Sequence, residues 1–379
     1  IITYLNAHKW SLINADQKGY ILARTNLIFQ VTTTMAKIIV LMLTQNYVIY
    51  LIIDLIIFMV QNIFNGKIVD KRYSYIKTKG KFKIDNETKQ NLISNIKAMF
   101  LHNIGGYIVY GTDNILISSL IGVATVGLYS NYTMIINQLA ALVSPIITGI
   151  GASIGNMMAT ESSEKSYNIF KVTYLMTFWI FSVSLIFLYN LLEPFISWWL
   201  GEKYLLDHVT FIVILINFYL AGMRIAIATY KNTAGLFVQD KYAPLIEAVI
   251  NLVSSIFLAK YFGLVGIFLG TTISTIATIF WTQPCIVYKN LFKKSVSTYF
   301  IKYIFYAILT FITCFITSEL CNYYVTGINF YSLITRGGIC LILPNIIYLT
   351  LFYKSDEFEY IKRALASLLS ALKFRFNLF

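Results

Sequence analysis

The chain contains many apolar runs of about twenty residues, each long enough to cross the hydrocarbon core of a bilayer as a helix. A water-soluble fold cannot accommodate them, because 58% of the residues are hydrophobic and only 12% are charged, too few to cover a water-exposed surface. The sequence therefore predicts an all-α, polytopic membrane protein. We predict ten complete helices, preceded by the end of another at Ile1–Ala7: 21–43, 47–66, 93–117, 126–158, 172–193, 209–232, 243–260, 264–288, 299–318 and 334–353.

The distribution of positive charge agrees with this helix count. We place the 67–97 loop in the cytoplasm and change sides at each helix. About 25 of the 30 Lys and Arg residues then lie inside, with only Lys203, Lys260 and Arg336 outside. The net charge of +13 is thus explained by membrane orientation. We expect the lipid bilayer as a partner and no nucleic acid.

A polar segment, Gly66–Lys97, divides the chain into two lobes, and parts of the lobes match each other. An offset of about 222 positions aligns Val31 with Val253 and Phe58 with Phe280. Duplication would make this a parallel repeat, with helices missing from the front of the chain. The shared composition of any two membrane hairpins is the alternative explanation. The expected domains are the remainder of an N-terminal helical lobe (1–66), a cytoplasmic loop (67–92), a six-helix lobe (93–288), an additional helix pair (289–353) and a cytoplasmic tail (354–379).

One predicted helix carries a polar stripe within an otherwise apolar sequence. Asn217, Arg224 and Lys231 follow a spacing that puts them on one face, which should point toward protein or water, and we take these three as candidate substrate-binding residues. An ionisable group inside a bilayer is costly and usually lines a cavity or pairs with another group. Arg224 would suit a pyrophosphate, because its planar fork donates two charge-assisted hydrogen bonds. The alternative is a structural ion pair with Glu247 on the next helix.

Other polar residues of the predicted membrane helices each allow two interpretations. Lys37 and Asp54 lie at one depth of a predicted hairpin, so they form either an ion pair or a substrate or ion contact. Asp113 is either a cation or proton site or a hydrogen-bonded packing residue. Gly151 and Gly155 predict a close approach of helices rather than a phosphate site, because no strand precedes them.

The sequence lacks the features of a membrane enzyme. The outer loops are predicted to be short, the longest being roughly Glu319–Leu333, and Trp198 and Trp199 fit an aromatic belt at the outer interface. No acid/base pair, nucleophile arrangement or phosphate loop is found. The histidines and cysteines show no metal-ligand spacing, so we expect no metal or cofactor.

Three runs resemble a known family of transporters. They are TDNILISSLIGVATVGLYSNY, FISWWLGEKYLL and the long run that begins FYLAGMRIAIATYKNTAGLFVQDKY. They are similar to the polysaccharide-repeat-unit flippases of bacterial capsule and O-antigen synthesis, within the superfamily that also holds multidrug extruders and lipid II flippases. The resemblance extends from Ala15 onward.

The resemblance implies two six-helix lobes around a central cavity, a final helix pair and multi-pass insertion in the bacterial cytoplasmic membrane. The implied activity is translocation of undecaprenyl-pyrophosphate-linked oligosaccharide, with polysaccharide polymerase and other assembly proteins as further partners. It implies a cationic cavity role for Arg224 and Lys231 and an acidic role for Asp113. A multidrug or cation antiporter of the same superfamily is the alternative, followed by a membrane polysaccharide polymerase.

Overall fold

The computed structural model describes residues 6–16, 18–77, 84–364 and 366 of the chain. These residues are almost all helical and include no strand. Within this part, nine helical segments are long and apolar enough to cross a membrane. The chain forms two compact units, Ile1–Asn86 and Glu87–Phe379, whose boundary falls inside the predicted 67–92 loop. The all-α, polytopic prediction is therefore confirmed.

The first unit is a membrane hairpin with a short helix beside it. Its helices are α1 (Ala7–Ala15), α2 (Tyr20–Thr44) and α3 (Tyr47–Arg72), followed by a 3₁₀ turn at Ser74–Lys77. The Asn46 side chain accepts hydrogen bonds from the first backbone N–H groups of α3, which explains why α3 starts there. Residues 1–5 of the predicted opening helix lie outside the described part.

The second unit contains the remaining helices. They are α4 (Asn86–Leu116), α5 (Val123–Thr148), α6 (Gly151–Thr160), α7 (Ser163–Trp199), α8 (His208–Thr233), α9 (Ala243–Phe262), α10 (Leu264–Ala277), α11 (Ile279–Val287), α12 (Ser297–Tyr324) and α13 (Phe330–Phe352). All ten predicted helices are present. However, α4 is not one of the nine apolar segments, since it carries charged residues in its first turns and further polar residues, such as His102, Asn103, Asp113 and Asn114, along the rest of its length.

The centre of the second unit is α7, against which α8, α12 and α13 pack. Phe178 stacks on Tyr306 of α12, with ring centroids 4.2 Å apart. The Trp179 indole donates to the Asn345 side chain of α13 at 2.6 Å. The final helix pair is therefore packed into this unit rather than standing apart from it.

Two glycines let α6 approach α8 closely, as their spacing predicts. A Cβ added to Gly155 would lie 2.9 Å from Cγ2 of Thr233, and one added to Gly151 would lie 3.5 Å from the Thr233 hydroxyl. The first distance is too short for two carbon atoms in contact. The prediction of close helix packing at GIGASIG is confirmed.

Several predicted boundaries differ from the structure, among them the predicted 264–288 helix, which is broken at Thr278, and two others. The helix predicted at 126–158 is broken between α5 and α6 at Gly149–Ile150, shortly after Pro145, a residue that interrupts helical hydrogen bonding. The predicted outer loop Glu319–Leu333 shrinks to 325–329 because α12 continues to Tyr324. Arg336 accounts for this extension, since its Nη2 donates to the carbonyl oxygen of Val325 at 3.1 Å, where the helix ends.

The two hairpins of the predicted repeat share their order but not a constant offset. The first turns at Gln45–Asn46, and an offset of 222 would place the second turn at Ile267–Phe268, within α10. The second hairpin instead turns at Gly263, about one helical turn earlier. A single offset therefore cannot relate the hairpins along their whole length.

Candidate functional site

The polar stripe of α8 faces other helices of its unit, as predicted. At one end, the Asn217 amide donates to the carbonyl oxygen of Phe268 at 3.0 Å and accepts from the Thr272 hydroxyl at 2.7 Å. Both partners belong to α10. Asn217 was predicted to bind substrate, and here its amide joins two helices; a substrate role stays a prediction.

At the other end of the stripe, Lys231 is buried and paired. Its side chain is 1% exposed, and its Nζ lies 2.5 Å from Oδ2 of Asp240, whose side chain is 2% exposed. The other oxygen, Oδ1, lies 3.0 Å from Nε2 of His102 on α4. This carboxylate thus lies between α4, α8 and the segment that links α8 to α9, and the same Nε2 of His102 lies 3.2 Å from the carbonyl oxygen of Phe237. A contact between Lys231 and substrate also stays a prediction, and it would require this pair to open.

Sequence reasoning did not single out Asp240. The available signal was the QDKY segment that follows the end of α8, because a buried lysine near a helix end needs a carboxylate close by. His102 appeared to be an isolated histidine. Nothing in the sequence showed that residues 138 positions apart meet here.

Arg224, at the middle of the stripe, has a hydrogen-bond donor that no acceptor satisfies. Its Nη1 is buried and donates no hydrogen bond within the described structure. The guanidinium borders a small pocket lined by Leu220, Thr275, Ile279, Phe280, Pro284, Tyr299 and Tyr303. The cavity volume of about 10 Å³ is enough for one water molecule. The Tyr303 hydroxyl, another donor at this pocket, also lacks a partner among the described residues.

Glu247 influences Arg224 without pairing with it directly. The two charges interact, but the Glu247 carboxylate accepts its hydrogen bond from the Thr275 hydroxyl at 3.2 Å. Among the described residues, no carboxylate comes close enough to Arg224 to form an ion pair with it. The alternative of a direct structural pair with Glu247 is therefore not observed, and Arg224 remains the least satisfied cation of the stripe.

Asp113 is a second under-satisfied group inside the second unit. The residue is 8% exposed, and its Oδ1 makes no hydrogen bond within the described structure. The sequence also allowed a hydrogen-bonded packing role for Asp113, but the described residues provide no hydrogen-bond partner for its Oδ1. A cation or proton site stays a prediction.

The first unit contains the predicted pair between Lys37 and Asp54. The Lys37 Nζ lies 3.2 Å from Oδ1 of Asp54 and 4.5 Å from the ring centre of Tyr50. Equal depth on the two arms of the hairpin is what brings these side chains together. The ion pair is confirmed.

This pair belongs to a polar groove that sequence reasoning missed. The groove runs along one face of the α2–α3 hairpin and is lined by Asn26, Gln30, Thr33, Thr34, Lys37, Asp54, Phe58 and Gln61. Asn26 anchors it by accepting from Gln61 at 3.0 Å and from Asn65 at 2.7 Å. The sequence pattern that could have predicted this groove is the three-and-four spacing of polar residues along α2. Amides and hydroxyls in a membrane helix suit a polar cavity better than lipid.

No group of three or more His, Cys, Asp or Glu side chains in the described ranges is arranged to hold a metal ion. Comparisons with family models, with curated proteins and with solved structures find no match to this chain.

Proposed function

We propose that this chain is a flippase that moves undecaprenyl-pyrophosphate-linked oligosaccharide repeat units across the bacterial cytoplasmic membrane for surface polysaccharide synthesis. The observation that carries the proposal is the Arg224 guanidinium, a cation within a membrane-spanning helix whose Nη1 has no hydrogen-bond partner among the described residues. In a low-dielectric setting such a group favours an anion strongly, and its fork matches a phosphate.

The pocket beside Arg224 must enlarge before Arg224 can bind a pyrophosphate. A pocket for one water molecule cannot hold a pyrophosphate. Substrate binding would therefore require α8 to separate from α11 and α12, which supply most of the pocket wall. Alternation between closed and open arrangements of packed helices is how transporters of this kind give access to each side of the membrane in turn.

The polar groove of the α2–α3 hairpin gives independent support. A sugar chain presents many hydroxyl groups, which bind to amide, hydroxyl and charged side chains. The groove offers Asn26, Gln30, Thr34 and the Lys37–Asp54 pair at membrane depth. We assign the pyrophosphate to Arg224 and the sugars to polar surfaces such as this groove.

The first prediction tests Arg224 in a flippase-null strain complemented with the full protein. Arg224→Ala should insert at normal levels and abolish surface polysaccharide, because the anion loses its cation. Arg224→Lys should keep part of the transport, because it retains the charge but loses the two-pronged geometry. The readouts are surface glycan and protein level in the membrane.

The matched control is Arg336→Lys, which changes an arginine engaged with a backbone carbonyl at a helix end. It should leave surface glycan unchanged at equal protein level. Wild-type glycan with Arg224→Ala would refute the proposed role of Arg224.

Asp113 favours a second candidate, the multidrug or cation antiporter. A buried carboxylate whose Oδ1 has no hydrogen-bond partner in the described structure is what a cation or proton site requires. The discriminating experiment measures cationic-dye efflux in a strain lacking its main drug pumps. Efflux that is lost with Asp113→Asn and retained with Arg224→Ala would favour the antiporter.

A further inference from the structure

Two lysines from different parts of the second unit converge on one tyrosine ring. Nζ of Lys171, on α7, lies 5.6 Å from the ring centre of Tyr167, and Nζ of Lys294, just before α12, lies 4.9 Å from it. The other lysine–tyrosine contacts of the described residues involve one lysine each. Each ammonium group is attracted to the face of the ring, but the two like charges repel each other, so this arrangement favours an anion beside them.

The surrounding structure holds these groups in place. The Tyr167 ring packs against Phe292 with centroids 5.4 Å apart and against Tyr288 at 5.9 Å. Lys293 has a left-handed backbone conformation, with φ of 54°, and the backbone N–H of Lys294 donates to the carbonyl oxygen of Tyr288 at 3.2 Å. The chain reversal before α12 therefore directs Lys294 toward the ring.

The Glu357 carboxylate, on which Lys171 acts, does not neutralise the pair. Glu357 accepts a hydrogen bond from Lys302 at 2.8 Å. Burial alone would raise the pKa of Glu357, but the Lys302 hydrogen bond and the charges of Lys302 and Lys171 hold it below its usual value. Glu357 is therefore ionised, and its one negative charge is shared between Lys302 and Lys171. An excess of positive charge remains around Tyr167.

The depth of the site in the bilayer identifies the class of anion. The stretch of α7 from Lys171 to Trp199 covers about 42 Å of helix axis, close to the thickness of a bilayer including its headgroups. Trp198 and Trp199 are both partly exposed at the far end, where an aromatic belt is expected. Lys171 and Lys294 then lie at the headgroup level of the opposite leaflet.

We propose that Tyr167, Lys171 and Lys294 form a binding site for the phosphate of an anionic phospholipid headgroup. The ammonium groups bind the phosphate oxygens, and the surrounding apolar helix surface contacts the acyl chains. The positive-inside distribution of the other lysines places this site in the cytoplasmic leaflet, where anionic lipids attract basic residues. The site does not depend on the flippase proposal, because neither Arg224 nor the polar groove takes part in it.

The second prediction is a lipid-specific thermal shift of the purified full-length protein in neutral detergent. Added phosphatidylglycerol should raise the unfolding midpoint in a saturable way, whereas phosphatidylcholine and inorganic phosphate should not. The apparent affinity should fall about fivefold for Lys171→Gln or Lys294→Gln and about thirtyfold for the double replacement. The affinity of wild type should also fall as salt is raised.

The matched control is Lys203→Gln, which removes a lysine that approaches a single tyrosine, Tyr204, at 5.2 Å. Its affinity for phosphatidylglycerol should equal that of wild type. An equal shift with phosphatidylcholine would show that headgroup charge is not recognised, and an equal shift with inorganic phosphate would show a free-anion site. Either result overturns the proposal, as does unchanged affinity in the double variant. The lipid comparisons need only wild-type protein, so the test does not depend on the variants folding.

Discussion

At the scale of single residues, charged groups inside the spans of this protein differ chiefly in whether they have a partner. Lys37 and Lys231 each form an ion pair with a carboxylate. Arg224 and Asp113 each keep a buried polar atom without a hydrogen bond in the described structure. Pairing largely removes the cost of charge in hydrocarbon, so the paired groups fit a structural role. The unpaired groups are the better candidates for binding a charged ligand.

The third prediction concerns Lys37 and Asp54. Replacing either one by alanine leaves the other charge alone at membrane depth, at a cost of roughly 2.5–3.5 kcal/mol on insertion scales. Each single variant should therefore lower the level of inserted protein more than the double variant does. Quantitative immunoblots of membrane fractions measure this coupling. Additive losses would show that the two residues do not stabilise each other.

Some contacts of these charged residues could be predicted from the sequence and others could not. Lys37 and Asp54 lie on consecutive helices joined by a tight turn, so counting from the turn gave their common depth. Asp240 and His102 meet only through the packing of α4 against the segment after α8, and the sequence carries no distance information for such pairs. Similarly, the stripe spacing predicted that Arg224 faces protein but not how small its pocket is.

At the scale of helices, close approach and helix ends are set by a few side chains. Asn46, Ser162, Asp207 and Asn329 each accept a hydrogen bond from a backbone N–H at the start of a helix. The predicted starts at 47, 209 and 334 lie within four residues of the observed ones, whereas the helix that Ser162 caps starts nine residues before the predicted 172. The end of α12 could not be predicted, because Arg336 supports it from the following helix.

The fourth prediction concerns the contact between α6 and α8. Gly155→Ala should lower the unfolding midpoint, because its Cβ would lie 2.9 Å from Cγ2 of Thr233, and overpacking typically costs about 1–3 kcal/mol. Gly127→Ala on α5 is the control, since a Cβ there meets nothing within 4 Å. That control should be neutral or stabilising by up to about 1 kcal/mol, because alanine favours a helix. Thermal unfolding in detergent measures both.

A second replacement separates steric conflict from other effects. Thr233→Ser removes Cγ2 and keeps the hydroxyl, so it should restore much of the stability lost in Gly155→Ala. If the double variant is as unstable as the sum of the single variants, the contact does not cause the loss.

At the scale of the whole molecule, the length of the apolar runs was sufficient to predict the fold class. Apolar runs of bilayer length are hard to reconcile with any other class, and all ten predicted helices are present in the structure. Breaks within helices were harder to predict, because the loss of a few backbone hydrogen bonds leaves the hydropathy unchanged. The interruption between α5 and α6 and the one at Thr278 between α10 and α11 are examples.

The last prediction concerns orientation across the membrane. Charge in the 67–97 segment and after Lys354 resists translocation, so both regions should face the cytoplasm, whereas Lys203 should face outward. Single cysteines are placed at Lys79, Lys354 and Lys203 in a chain whose four native cysteines are replaced by serine. A membrane-impermeant maleimide should label the Lys203 position in intact cells. The Lys79 and Lys354 positions should be labelled only after permeabilisation. Strong labelling of Lys79→Cys in intact cells would show that the assigned orientation is wrong. Labelling of Lys79→Cys and Lys354→Cys on opposite sides of the membrane would show that the number of helices between them is wrong.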